Sequence, residues 1–290
     1  MTQSAITSIT PGQKKQYARF VEDAAERALI EVGLDKDGLQ KLIMRGGEFQ
    51  ARLIAAIREF SVSNQFADEE VASSYAYPSG YTGARFITEQ TNRLRQLFIG
   101  VGFANEKLVE QQLPSIMEGY FAIPRWGTLA STYNEAVEMV LARLKGTRPF
   151  YNYREGQLGP DRLRQSEHSI AMWQKLAEQQ QGHDILVVPA QFGLRHRGRS
   201  VRRAREMFQP NEFGLGAYAT GIMHLTHPER LVSYDDLWPD CAGDEYAPEA
   251  DGSFVHAPRW NFYDGKLRFG TRDVASYFGY DGSASAVLPE

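Results

Sequence analysis

Ile185-Leu186-Val187-Val188 is an unbroken run of large apolar residues, three of them β-branched. Such residues fit the pleated surface of a sheet, and a strand that is apolar on both faces has to be covered from both sides. A run this short is typical of a strand rather than of a helix. The stretch therefore predicts a buried, central strand.

Helices and a second strand are predicted before this run. Thr132–Lys145 shows an apolar face, and its glutamate three residues after Thr132 matches a capping box. Asp161–Gln180 predicts a further helix. Phe121–Ile123 indicates a short strand that Pro124 limits.

The two ends of the chain show different patterns of apolar residues, which predict strands at one end and helices at the other. Trp260–Phe269 alternates around an Asp-Gly pair, which predicts a C-terminal hairpin. Near the start, apolar residues at spacings of three and four predict three helices, the first from Pro11 to Gly33, the second capped by Asp35 and the third after Gly46-Gly47.

These elements predict an α+β or α/β fold, with a helix-rich N-terminal part packed on a mixed α/β C-terminal part. The polar, aromatic segment Thr147–Gly159 is the expected internal boundary. It divides the chain into a helical region, 1–146, and a mixed region, 147–290.

Composition narrows the function classes. The chain of 290 residues has a net charge of −4, so any affinity for polyanions must come from a local basic patch. Cys241 is the single cysteine, which favours a reducing compartment, and we expect a cytoplasmic protein. No signal peptide is expected at the N-terminus, and no apolar run approaches the roughly 20 residues that span a bilayer, so no membrane partner is expected. Oligomeric state does not follow from the sequence.

An arginine-rich loop follows the predicted central strand and precedes a predicted helix at Ser200–Phe208. Ligands of open α/β sheets bind at strand ends, and a helix N-terminus offers unpaired N–H groups to an anion. Arginine forks match phosphate oxygens bidentately. The loop 195–205 thus predicts binding of nucleic acid, a nucleotide or another phosphate-bearing ligand. Its candidate residues are Arg195, His196, Arg197, Arg199, Ser200, Arg202 and Arg203.

A magnesium-assisted enzyme is the second hypothesis. Mg²⁺ prefers one or two carboxylates together with substrate phosphates, which suits a phosphoesterase or nuclease. The acidic stretch 235–251 offers the candidate ligands Asp236, Asp240, Asp244 and Glu245. The third hypothesis is a structural or interaction protein, in which acidic residues of the same chain, this stretch among them, neutralise the arginines.

A unit resembling a helix-turn-helix is predicted from a helix at Val71–Tyr75 and another at Thr88–Phe98. The connection between them is longer than the usual turn of three or four residues. An ordinary solvated helix face is the alternative. The side chains that could read base edges are Gln90, Asn92, Arg93 and Arg95.

Overall fold

The computed structural model describes residues 10–60, 64–249 and 252–289. The chain forms two compact units, Met1–Val62 and Ser63–Glu290, and it belongs to the α+β class. The predicted boundary between residues 146 and 147 falls within a helix of the second unit.

The first unit contains the three predicted helices, α1 (Pro11–Val32), α2 (Lys36–Met44) and α3 (Gly46–Phe60). Asp35 caps α2 as expected, because its carboxylate accepts the Gly38 N–H at 2.7 Å. Along α1 and α2, every side chain whose exposure the structure describes is exposed or half-buried.

The second unit contains six helices among its described residues. They are α4 (Ile87–Leu97), α5 (Trp126–Leu129), α6 (Tyr133–Thr147), α7 (Glu167–Gln179), α8 (Val201–Glu206) and α9 (Ala217–Thr226). The capping box predicted at the start of α6 is formed by Thr132 and Glu135. No helix in the described part of the chain combines the length and the apolar character needed to cross a membrane.

An antiparallel four-stranded sheet lies at the centre of this unit. Its strands, in spatial order, are β1 (Gly119–Pro124), β4 (Ile185–Gln191), β11 (Ser285–Val287) and β5 (Glu212–Gly214). The predicted central strand is confirmed, because β4 has a neighbour on each side and all seven of its residues are buried.

A second sheet contains seven strands. They are β2 (Phe150–Asn152), β3 (Leu163–Gln165), β6 (Trp238–Asp240), β7 (Asp244–Tyr246), β8 (His256–Tyr263), β9 (Lys266–Asp273) and β10 (Asp281–Ser283). The predicted hairpin is confirmed as β8 and β9, with Tyr263 opposite Lys266. Asp264 and Gly265 both have positive φ, 54° and 69°, as a two-residue type I′ turn requires.

Helix α9 forms the centre of the core. All ten of its residues are buried, and it contacts α6, β1 and α4. Gly221 permits the approach to α6, because a Cβ at this position would lie 2.6 Å from a methyl group of Val140. Two residues, Leu215 and Gly216, connect β5 to α9.

Two of the predicted helices need correction. Val71–Tyr75 is not helical. The Val71 N–H donates to the Gly198 carbonyl, so this segment pairs with the arginine-rich loop instead of with itself. The helix predicted from Asp161 begins only at Glu167, because Leu163–Gln165 pairs with β7 as a strand.

Candidate functional site

The arginine-rich loop follows β4 as a short 3-10 helix, Leu194–His196, and then enters α8. Its glycines serve close packing. A Cβ on Gly193 would lie 2.5 Å from the Gly282 carbonyl oxygen, and one on Gly198 would lie 2.2 Å from that of Val71. Protein atoms therefore cover the backbone at both glycines. The loop also follows a strand of an antiparallel sheet, whereas the tendency of ligands to bind at strand ends was established for parallel sheets.

Glutamates of the same chain neutralise most of the loop's guanidinium groups. These glutamates lie outside the acidic stretch 235–251. The ion pairs are Arg195–Glu212 at 3.2 Å, Arg199–Glu70 at 2.8 Å, Arg203–Glu206 at 2.9 Å, and Arg202–Glu69. Arg205, the last arginine of the loop, donates to the carbonyls of Ala242 and Asp244.

His196 and Ser200 are also committed internally. The buried His196 places Nε2 2.7 Å from a Glu212 carboxylate oxygen, and Ser200 donates to Glu69 at 2.7 Å. Burial alone would raise the pKa of Glu212, but the hydrogen bond and charge of His196, with a hydrogen bond from Ser285, hold that pKa at about 2. Burial lowers the pKa of His196.

Arg197 is the exposed member of the predicted set, and it donates to the Tyr75 carbonyl at 3.0 Å. The guanidinium groups of Arg195, Arg199, Arg202 and Arg203 thus meet carboxylates of the chain itself. This arrangement favours the third interpretation of the sequence, in which the arginines stabilise the fold.

The predicted base-reading residues divide between core and surface. Gln90 is buried, where it donates to the Tyr120 carbonyl at 2.8 Å and accepts the Ala122 N–H at 2.9 Å, and so joins α4 to β1. Asn92, Arg93 and Arg95 are exposed. Since no helix precedes α4 at Val71–Tyr75, the predicted helix-turn-helix is wrong.

The four predicted magnesium ligands do not converge on one point. Asp236 accepts N–H bonds from Ser79, Val232 and Ser233, so it organises a turn. Glu245 pairs with Arg164 at 2.8 Å. Among the residues that the structure describes, no three His, Cys, Asp or Glu side chains are grouped as a metal ion requires.

The remaining two carboxyls of that set are buried. Burial and the nearby Asp281 charge raise the pKa of Asp240 to about 8. Burial raises the pKa of Asp244 to about 7, although the Ala217 N–H and the Tyr133 hydroxyl both donate to it. Asp244 lies beside a concavity that sequence reasoning did not anticipate.

This concavity, here called the aromatic pocket, has a volume of about 330 Å³. It lies where the end of β1, α5, the first residues of α6 and α9, and the face of α7 from Ile170 to Ala177 meet, with one residue each from β3 and β4. Its lining is largely apolar and includes Ile123, Trp126, Tyr133, Ile170, Trp173, Ala177, Leu186, Tyr218 and Ala219.

Arg125 fixes two walls of the aromatic pocket to each other. Its guanidinium donates to the carbonyls of Ala177 and Gln180 at 2.9 and 2.8 Å, at the C-terminal end of α7, and to that of His183 at 2.8 Å. The residue next to it, Trp126, is 37% exposed. A cation bound to the carbonyls of a helix C-terminus is a favourable arrangement, so the pocket is preformed by protein contacts.

The polar end of the aromatic pocket is built at the N-terminus of α9. The Asp244 carboxylate accepts the Ala217 N–H at 2.7 Å. Gly216 is required here, because a Cβ would lie 2.2 Å from Asp244 Oδ1 and 2.5 Å from the Tyr133 hydroxyl oxygen. Burial raises the pKa of Tyr133 well above its ordinary value, so its hydroxyl stays neutral.

A more polar groove of about 610 Å³ adjoins the aromatic pocket. Tyr133, Gln165 and Ile170 line both concavities, so the two meet at these side chains. The groove adds Arg164 and His168, among other polar side chains.

Comparison of the chain with protein-family models, with curated proteins and with solved structures finds no match.

None of the residues that line the aromatic pocket was among the candidate site residues predicted from the sequence. The sequence does contain one local sign of the pocket, which is the pair of glycines Gly214 and Gly216 just before α9. Glycines at such a position permit close approach of other groups to the backbone. Seven helices and strands contribute residues to this one concavity, and no local sequence pattern indicates that they meet.

Proposed function

We propose that the second unit binds a small, neutral, amphipathic organic molecule in the aromatic pocket. The observation that carries this proposal is the concavity of about 330 Å³ walled by Trp126, Trp173 and Tyr218. Binding sites for small molecules are concave, mostly apolar and marked by a few polar groups that fix the ligand's orientation. The pocket has each of these properties.

The apolar walls define the buried part of the ligand. Aromatic side chains contribute large contact areas and prefer edge-to-face or offset contacts with other rings. Tyr133 already makes such edge contacts with Trp126 and Tyr218, at 6.4 and 6.3 Å between ring centroids. A flat ring system extends this arrangement, and aliphatic Ile170 and Leu186 complete its surroundings.

The polar lining defines the hydrogen-bonding groups of the ligand. The side-chain amides of Gln165 and Gln174 line the pocket and form no hydrogen bond with another residue in the described part of the chain. Each amide offers a donor and an acceptor. The Tyr133 hydroxyl already donates its proton to Asp244, so its oxygen can only accept a hydrogen bond from the ligand. A neutral ligand carrying an N–H or O–H group satisfies these three side chains.

An anionic group is disfavoured at this end. The buried Asp244 carboxyl lies directly behind Tyr133, and burial already raises its pKa to about 7. A second negative charge nearby would raise that pKa further. Any strongly polar part of the ligand is expected instead in the adjoining groove, near Arg164 and His168.

Titration with N-phenyl-1-naphthylamine tests the proposal. This neutral fused-ring amine gains fluorescence in apolar surroundings. We expect saturable binding to the wild-type chain and at least a roughly tenfold weaker affinity for Ala177→Leu, which fills the pocket. Ala171→Leu is the matched control, since Ala171 is an exposed residue of the same helix and does not line the pocket.

Equal affinity of the probe for both leucine variants would contradict the proposal, because the probe would then bind elsewhere. Absence of saturable binding to the wild-type chain would contradict it as well.

A further inference from the structure

Four half-exposed tyrosines lie next to one another on the outer face of the seven-stranded sheet. The exposed fraction of each residue is between 47% and 54%. They are Tyr151, Tyr153, Tyr234 and Tyr263, here called the tyrosine strip. Single apolar residues on a protein surface are normal, whereas a contiguous group of them marks a site of interaction.

The register of three neighbouring strands places the strip on one face of the sheet. Tyr151 of β2 lies opposite Arg268 of β9, and Arg268 lies opposite Asn261 of β8, two residues before Tyr263. Directly opposed residues project to the same side of a sheet, and so do residues two apart along a strand. The intervening residues of these strands face the core, Trp260 among them.

Arg268 joins the tyrosines into a continuous surface. Its guanidinium lies 4.7 Å from the centre of the Tyr263 ring and 5.9 Å from that of Tyr153, and it donates to the Tyr153 hydroxyl at 2.6 Å. Tyr151 contacts Tyr153 at 4.7 Å between ring centroids, and Tyr234 contacts Tyr263 at 6.0 Å. Because these contacts already hold the rings in place, a partner that binds here has few side chains to order.

The charges on this face balance one another. Arg154, the sequence neighbour of Tyr153, donates to Thr271 on the opposite face and does not contribute. The charged residues that flank the strip are two cations and two anions, Lys266, Arg268, Asp235 and Asp264. Surfaces that bind single-stranded nucleic acid combine aromatic rings with an excess of positive charge. The tyrosine strip lacks that excess, so it suits a neutral partner.

A saccharide matches both the apolar and the polar groups of this surface. One face of a pyranose ring consists largely of C–H groups, which pack on aromatic rings, and its hydroxyls both donate and accept hydrogen bonds. The Asp264 carboxylate and the Lys266 ammonium are exposed, flank Tyr263 and are suited to bond such hydroxyls. A proline-rich segment also docks on aromatic surfaces, but its prolines have no N–H to donate to a carboxylate.

From these groups we propose that the tyrosine strip binds a neutral oligosaccharide. Strands β2 and β8 lie on either side of β9, about 10 Å apart, and Tyr234 extends the surface beyond Tyr263. The strip therefore accommodates several sugar units, and its affinity rises with the length of the saccharide. None of its residues lines the aromatic pocket, so the two sites bind independently.

Isothermal titration calorimetry of the full chain with cellohexaose and with chitohexaose tests the proposal. Both probes are neutral chains of β-linked sugars. We expect saturable binding of at least one of them to the wild-type chain and roughly tenfold weaker binding to Tyr263→Ala, because a stacking ring is lost. Tyr263→Phe keeps the ring and is expected to retain most of the affinity.

Phe103→Ala is the matched control. Phe103 is 59% exposed and has the Arg95 guanidinium 4.1 Å from its ring centre, much as Tyr263 has Arg268, but it lies beside the start of β4 in the other sheet. This variant is expected to bind the saccharide as the wild-type chain does. Ala177→Leu, which fills the aromatic pocket, is expected to do so as well, and thermal melts verify that each variant is folded.

The proposal is overturned if neither saccharide binds saturably, or if Phe103→Ala weakens binding as much as Tyr263→Ala does. Binding of a polyproline peptide or of oligothymidine that Tyr263→Ala weakens, without binding of either saccharide, would assign the strip to a peptide or to a nucleic-acid strand instead.

Discussion

The hydroxyl of Tyr133 donates to the carboxyl group of Asp244 and lies 2.8 Å from each of its oxygens. This contact joins the first turn of α6 to β7 and forms the polar end of the aromatic pocket. Because the Asp244 carboxyl is buried, the contact links the protonation of Asp244 to the stability of the second unit.

The first prediction concerns pH. The pKa of Asp244 is about 7 in the folded chain and near its ordinary value of 3.8 in the unfolded chain. The folded state thus holds this proton more tightly, and the contribution of Asp244 to stability falls as pH rises from about 4 to about 7. Asp244→Asn removes this dependence. Relative to the variant, the wild-type chain should lose on the order of 2–4 kcal/mol of unfolding free energy across that range.

Urea unfolding of both proteins at a series of pH values measures the difference between their unfolding free energies. The other titrating groups are the same in both proteins, so their contributions cancel in this difference. Parallel stability curves for the two proteins would show that Asp244 does not titrate in this range.

The second prediction concerns Glu212, which accepts from His196 and from Ser285, each at 2.7 Å. Glu212→Gln leaves Arg195 without a counter-charge and removes the carboxylate that His196 contacts, and it should cost about 3–5 kcal/mol of unfolding free energy. Glu155→Gln is the matched control, because Glu155 pairs with Lys145 at the surface, and a change of less than about 1 kcal/mol is expected there.

The folded pKa of Glu212, about 2, lies below its ordinary value of 4.5, so its contribution is present above pH 4.5 and is lost as pH falls toward 2. A stability difference between wild type and Glu212→Gln that stays constant from pH 5 to about 2 would contradict this assignment.

The third prediction separates the two roles considered for the arginine-rich loop. Arg199 pairs with Glu70, and this contact lowers the pKa of Glu70. Arg197 is exposed and donates to a single carbonyl. Arg199→Ala should therefore lower the unfolding free energy by about 1 kcal/mol, and Arg197→Ala by less. Thermal melts measure both changes.

A fluorescent single-stranded oligonucleotide at low salt supplies the second readout for these variants. With the guanidinium groups already paired, no salt-dependent binding is expected. Tight binding that both substitutions weaken would restore the phosphate-binding hypothesis.

The fourth prediction concerns Trp126, the partly exposed wall of the aromatic pocket. Trp126→Ala should weaken binding of N-phenyl-1-naphthylamine about tenfold, because an aromatic wall is lost from the contact. Phe86→Ala is the control, since Phe86 is 84% exposed and lines none of the described pockets. Fluorescence titration compares the two, and an equal loss of affinity in both variants would argue against binding at Trp126.

The parts of the fold that were predictable have local causes. Four consecutive apolar residues were enough to identify β4, and an Asp-Gly pair between alternating residues identified the hairpin of β8 and β9. The capping box at Thr132 identified the start of α6. In each case neighbouring residues alone determine the backbone conformation.

The site was not predictable because its contacts span long sequence separations. Glu69 and Glu70, which pair with the arginine-rich loop, stand directly before the segment Val71–Tyr75 that was predicted to be a helix. Nothing in their neighbourhood indicates partners more than 100 residues away. The aromatic pocket likewise depends on how β1, α5, α6, α7 and α9 pack, which no single stretch of sequence encodes.

A crystal structure of the chain with N-phenyl-1-naphthylamine tests the central claim most directly. The proposal predicts the ring system between Trp126 and Trp173, with its N–H directed to Gln165, Gln174 or the Tyr133 hydroxyl. A probe bound only at another surface, with the aromatic pocket left to solvent, would contradict it.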